Sequence, residues 1–182
     1  GDADLDFWRA TAATTSGPTV ELGCGAGRIL AAIATADRAL VGLDLDDAAL
    51  SLARERLPGA ELIQADLLTW TPPETLRHGA GLVIAGGDLL PLFTEATDLE
   101  RLFAQAATLL SPGGIFGIDA TLIDADLLSE AASDSAWSED VRWMSEEVGE
   151  VRRESRLLPD LAGRTGCAQL QIRHWHAGDA TP

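Results

Sequence analysis

Short apolar runs alternate with amphipathic helical segments between about residue 19 and residue 120. The runs are predicted to form five β-strands: Thr19 to Leu22, Ala39 to Asp44, Leu62 to Ala65, Leu82 to Ala85 and Ile115 to Asp119. A strand, a helix and a further strand in succession form a parallel unit, because the helix carries the chain back along one face of the sheet. The alternation therefore predicts an α/β fold, with a Rossmann-like, doubly wound, mainly parallel sheet and helices on both faces.

Three helices are predicted between these strands, at about Ala26 to Ala36, Asp47 to Leu57 and Asp98 to Leu110. Asp46 is expected to cap the second helix, because its carboxylate can accept hydrogen bonds from the free amides of the first turn. The segment Ser111 to Gly114 contains a proline and two glycines and is expected to form a turn. The strand after that turn is apolar on both faces, which is typical of a central parallel strand.

Beyond Ala120 the pattern becomes less regular. A helical piece is predicted near Leu122 to Ala132, and an acidic stretch follows it. Two strand-like runs, Val148 to Leu158 and Ala168 to His176, are expected to pair through Asp160 to Gly166. The C-terminal part is therefore predicted to hold an antiparallel hairpin.

All thirteen basic residues are arginines and 29 residues are acidic, so the chain of 182 residues carries a formal charge of −16. An acidic chain without a large cluster of cations is not expected to bind nucleic acid or an anionic membrane. Charges interrupt every apolar run, so no membrane-spanning helix is expected. Two distant cysteines and the lack of a signal-like start favour a soluble protein of the reducing cytoplasm.

The sequence VELGCGAGRI places Gly23, Gly25 and Gly27 between the first strand and the first helix. Glycines let a ligand lie against the backbone of such a turn, although a strand-to-helix turn without a ligand has the same pattern. The G-x-G-x-G spacing differs from the G-x-G-x-x-G of dinucleotide-binding proteins. A Walker-type phosphate loop is excluded because the chain contains no lysine.

An acidic residue stands near the end of each of the first three strands: Glu21, Asp44 and Asp66. The carboxyl ends of neighbouring parallel strands line one crevice, so we expect these side chains to converge there. A rim of carboxylates repels a phosphate-bearing ligand and attracts a cationic nucleoside that lacks phosphate. S-adenosylmethionine, with its sulfonium, ammonium and ribose diol, has that chemistry.

Four segments in order resemble the motifs of class I S-adenosylmethionine-dependent methyltransferases: VELGCGAGRI at 20–29, VGLDLD at 41–46, IQADLL at 63–68 and LLSPGGIFGIDA at 109–120. The resemblance covers about residues 17–120 and implies methyl transfer to N, O or C of an acceptor by in-line displacement. Residues 1–120 would be the cofactor-binding α/β core. Residues 121–182 would be a variable acceptor-side tail with the hairpin, in the same domain or as a small cap.

The resemblance also implies roles for residues along the methionyl part and the ribose of the cofactor. Gly23 and Gly25 would lie beside the methionyl part. Glu21 would reach its ammonium group directly or through water. Asp44 would hold both ribose hydroxyls, as an acidic residue about 20 positions after the glycines does in dinucleotide-binding folds.

Further roles implied by the resemblance concern the adenine ring and the ammonium group. Asp66 would accept a hydrogen bond from the adenine amino group, with the Leu67 amide facing the ring. Leu45 would contact the face of the ring. The backbone of Ala85 and Gly86 would accept a hydrogen bond from the ammonium group.

The segment AGGDLLPLF at residues 85–93 departs from the Asn/Asp-Pro-Pro-Tyr of many methyltransferases that act on nucleic-acid bases or protein glutamine. This departure and the acidic composition favour a small-molecule methyl acceptor. No catalytic residue and no metal site is predicted. Asp88, His174 and His176 are weak candidates for a general base, because a turn cap explains Asp88 at least as well and exposed positions on a hairpin are the commoner explanation for the histidines.

Two other side-chain types have open interpretations. Arg28 could pair with the cofactor carboxylate, although an exposed helix arginine is the favoured reading. Trp8, Trp137 and Trp143 could line an acceptor pocket or fill the core.

Two other functions remain as alternatives. A nicotinamide-dependent oxidoreductase would also use Asp44 on a ribose, although the glycine spacing and Asp66 speak against it. A non-catalytic member of the same fold would bind a metabolite without transferring a group. The sheet of this family usually has two strands beyond the five predicted here. The strand pair from Val148 to His176 is either that closing pair or an inserted cap. We expect the cap, on a chain too short for the whole enzyme.

Overall fold

The computed structural model describes residues 4–120, 136–145, 149–159 and 168–176. The chain divides into two compact units, Gly1–Thr121 and Leu122–Pro182. The first unit contains a five-stranded sheet, and the second contains a three-stranded sheet.

The sheet of the first unit is entirely parallel, with strand order β3-β2-β1-β4-β5. Its strands are β1 Thr19–Leu22, β2 Leu40–Asp44, β3 Glu61–Gln64, β4 Ala80–Ala85 and β5 Leu110–Ile118. The order runs outward from β1 in both directions, so the chain crosses from one side of the sheet to the other after β3. This arrangement confirms the predicted doubly wound α/β fold.

Four α-helices and two 3-10 turns accompany the sheet: α1 Leu5–Ala13, α2 Arg28–Ile33, α3 Asp47–Arg56, α4 Ala96–Leu109, η1 Glu74–Leu76 and η2 Leu90–Leu92. The Asp46 carboxylate accepts a hydrogen bond from the Ala48 amide, so the predicted cap of α3 is confirmed. Helix α2 is shorter than predicted, because Gly27 is left-handed (φ +73°) and Ala34 is already extended. Helix α1 was not predicted.

Alternate residues of β4 face two separate apolar layers. Val83 packs in the layer that contains the buried face of α4, whereas Leu82 packs in the layer built with α1, α2 and α3. Trp8 of α1 is fully buried in the second layer. Its ring lies against Gly86 and Gly117, where a Cβ atom would come within 3.3 and 2.6 Å of it. Of the two interpretations of Trp8, a pocket residue or a core residue, the structure thus supports the second.

Strand β5 differs from the prediction in two ways. The predicted turn from Ser111 to Gly114 lies inside β5 as an irregularity, since Ala80 pairs with Leu110 but Leu82 pairs with Ile115. The expected central position is wrong, because β5 pairs with β4 and with no other strand of the described residues. Ile115 is accordingly 38% exposed. The apolar residues on both faces of β5 therefore do not reveal whether the strand has one neighbouring strand or two.

The second unit contains the strands β6 Ser138–Ser145, β7 Gly149–Pro159 and β8 Ala168–His176. They pair antiparallel in the order β6-β7-β8, so the predicted hairpin is present and gains a third strand. The acidic stretch was not predicted to form a strand. The predicted helical piece at 122–132 and the connection at 160–166 lie outside the described residues. In the described part of the chain, no helix is long and apolar enough to cross a bilayer.

Candidate ligand-binding site

A cavity of about 410 Å³ opens at the carboxyl ends of the parallel strands. Its lining comes from the segments that follow β1, β2, β3 and β4: Gly23, Asp44, Leu45, Ala65, Asp66, Leu67, Leu68, Gly86, Gly87, Leu89, Leu92, Phe93, Thr94 and Asp98. The cavity is thus where the sheet changes direction between β1 and β4, the usual ligand position in open α/β sheets. Its volume is in the range of small-molecule sites.

The glycine loop forms one wall of this cavity. Gly23 has a φ of +71°, a conformation that residues with a Cβ rarely adopt. A Cβ at this position would also come within 2.6 Å of the Leu89 side chain. Glycine is therefore required at Gly23 by both backbone conformation and space.

Asp44 connects the end of β2 to the glycine loop. Its Oδ2 accepts a hydrogen bond from the Gly25 amide at 2.7 Å, and its Oδ1 accepts one from the Asp46 amide at 2.9 Å. A carboxylate oxygen has two acceptor positions, so each oxygen can still accept one hydrogen bond from a ligand. The two backbone bonds fix the orientation of the carboxylate at the cavity wall.

Asp66 is held in a comparable way after β3. Its Oδ1 accepts a hydrogen bond from the Leu68 amide at 2.9 Å, and its carbonyl accepts one from the Trp70 amide at 2.8 Å. These bonds close a turn that presents Leu67 to the cavity. Leu45 also lines the cavity and is 68% exposed, so its apolar side chain is available to pack on a flat ligand.

Glu21 lies beneath the glycine loop and does not line the cavity. The residue is only 2% exposed, and its Oε2 has no hydrogen-bond partner among the described residues. Burial raises the pKa of Glu21 to about 8, and the nearby charges of Asp119 and Asp44 act in the same direction. Glu21 is therefore mostly uncharged at neutral pH, unlike the exposed rim acid that the sequence predicts.

Arg28 at the start of α2 binds Asp4 through two hydrogen bonds, of 2.7 and 2.8 Å. The hydrogen bond from Arg28 is the largest cause that lowers the pKa of Asp4 to about 2. This ion pair ties α2 to the residue that precedes α1. Neither interpretation of Arg28 from the sequence included this ion pair, because Asp4 lies 24 residues away in the sequence.

The structure brings six of the predicted cofactor residues to the cavity wall: Gly23, Asp44, Leu45, Asp66, Leu67 and Gly86. Three others, Glu21, Gly25 and Ala85, are not among the lining residues. Sequence reasoning missed the apolar wall formed by Leu89, Leu92 and Phe93. These residues follow the carboxyl end of β4. They could have been predicted, because the carboxyl ends of parallel strands line the ligand crevice.

The candidate bases are not among the residues that line the cavity, although Asp88 stands between two residues that do, Gly87 and Leu89. Asp88 is exposed and left-handed (φ +61°), and its amide donates a hydrogen bond to Asp119 Oδ1 at 3.1 Å. His174 and His176 belong to β8 of the second unit and are both exposed. They alternate with the half-buried Arg173 and Trp175, as their spacing predicts.

Cys24 of the glycine loop is a free, buried cysteine. Burial raises the pKa of its thiol to about 12, so the thiol is not ionised at neutral pH and is a poor nucleophile. Within the described ranges, no three His, Cys, Asp or Glu side chains form a group that could hold a metal ion.

Comparison with known proteins shows which family this chain resembles. A family model described as a methyltransferase domain matches residues 20–116. The trans-aconitate 2-methyltransferase of Acidovorax sp. (strain JS42) is 30% identical over 167 residues, which are 85% of this chain and 60% of that protein. The trans-aconitate 2-methyltransferase of Paracidovorax citrulli (strain AAC00-1) is 39% identical over 106 residues, 54% of this chain and 36% of that protein.

The chain thus spans less than two thirds of the length of these curated relatives. Among solved structures, an amino pentose methyltransferase from Micromonospora echinaspora bound to S-adenosylmethionine has a TM-score of 0.63 and 24% identity. The match covers 92% of this chain and 72% of that one, and it shows a shared fold.

Proposed function

Because this chain belongs to the methyltransferase domain family, we propose that it transfers a methyl group from S-adenosylmethionine to a small acceptor. The observation that carries the proposal is Asp44, whose carboxylate is held at the cavity wall by two backbone amides and keeps acceptor positions for a ligand. A ribose diol offers two hydroxyl donors at the spacing of one carboxylate. We assign Asp44 to that diol.

The other cavity residues suit the rest of the cofactor. Gly23 leaves backbone open to the methionyl part, and Gly86 stands on the opposite side of the crevice. Leu45 and Leu67 offer apolar contacts to the adenine ring, while Asp66 can accept a hydrogen bond from the adenine amino group. The rim charges of Asp44 and Asp66 favour a cationic ligand over a phosphate.

Glu21, Gly25 and Ala85 support this site from behind. The Gly25 amide orients Asp44, and the fully buried Ala85 ends β4 where the cavity begins. Glu21 holds a proton at neutral pH, and a cation bound above the loop favours its ionised form. We propose that Glu21 acts on the ammonium group through this charge, or through water.

Bound S-adenosylmethionine supplies an activated methyl group, which an N, O or C atom of the acceptor takes by in-line displacement as the carbon–sulfur bond breaks. The residues of this chain contribute by binding and orienting the reactants, which is worth up to roughly 7–11 kcal/mol in the best intramolecular cases. The apolar wall of Leu89, Leu92 and Phe93 offers nonpolar surface from which a bound ligand can displace water. No side chain at the cavity wall is assigned as a base.

For the acceptor, we propose a small carboxylic acid. The curated relatives named above are trans-aconitate 2-methyltransferases, and trans-aconitate is the first compound to test. The negative charge of the chain disfavours a nucleic acid as the acceptor, but it also repels a carboxylate, so the support for a carboxylic acid comes from these relatives alone.

Calorimetric titration of the protein with S-adenosylmethionine, S-adenosylhomocysteine and NAD tests the proposed cofactor. We expect both sulfur nucleosides to bind, and Asp44→Ala to weaken their binding at least tenfold, because charge-assisted hydrogen bonds contribute about 1.5–3 kcal/mol each. Asp47→Ala is the matched control, since Asp47 is exposed and pairs with Arg54 outside the cavity. Tight binding of NAD with no response to S-adenosylmethionine would overturn the proposal.

A further inference from the structure

The turn that follows β4 is held by Asp119, the residue that follows β5. The Asp119 amide donates a hydrogen bond to the Ala85 carbonyl at 3.2 Å, and the Asp119 carboxylate accepts one from the Asp88 amide at 3.1 Å. The first bond continues the pairing of β4 with β5, in which Ala85 lies opposite Ile118. Asp119 thus binds both ends of the turn from Ala85 to Asp88, although it does not itself line the cavity.

The backbone of this turn has an unusual conformation. Gly87 and Asp88 are both left-handed, with φ values of +65° and +61°. Glycine adopts this conformation freely, whereas a residue with a Cβ does so at a cost in free energy. Such a residue persists in this conformation where surrounding contacts hold it, and the hydrogen bond from Asp88 to Asp119 is a contact of that kind.

The two halves of the turn are held by different means. Gly86 packs on the core, because a Cβ at this position would come within 2.5 Å of Ile29 and 3.3 Å of Trp8. A Cβ at Gly87 would have no atom within 4 Å, and Asp88 is exposed. The core therefore fixes the inner half of the turn, whereas the outer half is held by the hydrogen bond to Asp119.

The turn forms the wall of the cavity on the side of β4. Gly86, Gly87 and Leu89 all line the cavity, so the wall consists of the turn and the residue that follows it. Leu89 is buried, and its side chain lies so close to Gly23 that a Cβ there would come within 2.6 Å of it. The conformation of the turn thus determines how this wall meets the glycine loop.

We propose that Asp119 is a positioning residue of the proposed cofactor site: its carboxylate holds the outer half of the turn after β4, and the turn holds Leu89 against the glycine loop. Without this hydrogen bond, the turn adopts other conformations, and only a fraction of the molecules presents the complete wall. The apparent affinity for the ligand falls in proportion to that fraction. The inference rests on the proposed function, since the ligands of this wall are S-adenosylmethionine and S-adenosylhomocysteine.

Calorimetric titration of the whole chain with S-adenosylhomocysteine tests the effect on the site. Asp119→Ala loses the acceptor and should weaken binding about 3- to 10-fold. The charge of Asp119 also reaches Glu21, so a role through charge has to be separated from the hydrogen bond. Asp119→Asn keeps an acceptor oxygen without the charge and should stay within about twofold of wild type. Equal weakening by both substitutions would assign the effect to the charge and overturn the inference.

Asp37→Ala is the matched control, because it removes the same charge at an exposed position before the amino end of β2, whereas the cavity lies at the carboxyl ends. This variant should keep the wild-type affinity. Weakening by Asp37→Ala equal to that by Asp119→Ala would likewise overturn the inference. A lower free energy of unfolding does not by itself change the affinity while the chain remains folded. Asp119→Ala with lower stability but unchanged affinity would therefore mean a structural role only, and the inference would be wrong.

Amide hydrogen exchange followed by NMR tests the turn itself, without a ligand. The Asp88 amide should exchange at least about threefold faster in Asp119→Ala than in wild type, and at the wild-type rate in Asp119→Asn. The same rate in Asp119→Ala and wild type would overturn the inference and leave the proposed function intact. Failure of wild type to bind either sulfur nucleoside would contradict the proposed function, and the exchange rate of the Asp88 amide would still decide whether Asp119 holds the turn.

Discussion

Glu21 shows how strongly the environment of one residue changes its chemistry. Its sequence position suggested an ionised side chain at a ligand rim, but the structure encloses it under the glycine loop with one oxygen unpaired. Desolvation favours the neutral form, so the pKa of Glu21 in the folded state rises to about 8 from its ordinary value of 4.5. Sequence alone does not give this shift, because burial depends on what α1 and α2 pack against the end of β1.

The raised pKa of Glu21 makes stability depend on pH. In the unfolded chain the carboxyl ionises near 4.5, whereas the folded state keeps the proton up to about pH 8. The contribution of neutral Glu21 to stability is thus complete below pH 4.5 and is lost as the pH rises to 8. Glu21→Gln should remove this fall in the free energy of unfolding, measured by urea denaturation at several pH values. Glu61→Gln, at an exposed position of β3, is the control and should keep the wild-type slope.

Among the structural elements, the loop between β1 and α2 has the strictest sequence requirement. Gly23→Ala should lower the free energy of unfolding by about 1–2 kcal/mol, because the substitution places a Cβ at φ +71°. The new Cβ would also push Leu89 towards the cavity, so S-adenosylhomocysteine binding should weaken at least tenfold. Gly59→Ala is the matched control, since a Cβ there has no atom within 4 Å. Equal effects of the two substitutions on stability and binding would contradict the strained-turn argument.

A structural element could be predicted when the residues that determine it lie close together in the sequence. The cap of α3 and the glycine loop are encoded within a few residues, and both are present where the sequence places them. Strand β6 has no such signal: Ser138–Ser145 begins with polar and acidic residues and is a strand because β7 pairs with it. The position of β5 at a sheet edge depends on the strands beside it, which its own apolar residues do not encode.

The same reasoning applies to the candidate site. The acids Asp44 and Asp66 were predictable, because strand ends converge in any parallel sheet. The hydrogen bond between Asp44 and Gly25, 19 residues apart, was not, and neither was the ion pair between Arg28 and Asp4, 24 residues apart. Both contacts join segments that only the tertiary fold brings together.

At the scale of the whole molecule, the negative charge is spread over both units. Gly1–Thr121 holds seven arginines and seventeen acidic residues, and Leu122–Pro182 holds six arginines and twelve acidic residues. Both units are therefore acidic. Long-range attraction of a cationic ligand should come from the charge of the whole chain.

This excess of negative charge predicts a salt effect that separates the two sulfur nucleosides. S-adenosylmethionine carries a net positive charge through its sulfonium, whereas S-adenosylhomocysteine lacks the methyl group and with it that charge. Raising sodium chloride from about 50 to 500 mM shortens the screening length from roughly 14 to 4 Å, so the attraction of the acidic chain for the cation is largely removed. Affinity for S-adenosylmethionine, measured by calorimetry at both salt concentrations, should fall about two- to fivefold, and affinity for S-adenosylhomocysteine should change by less. A parallel fall for both ligands would mean that the acidic rim does not select for the sulfonium charge.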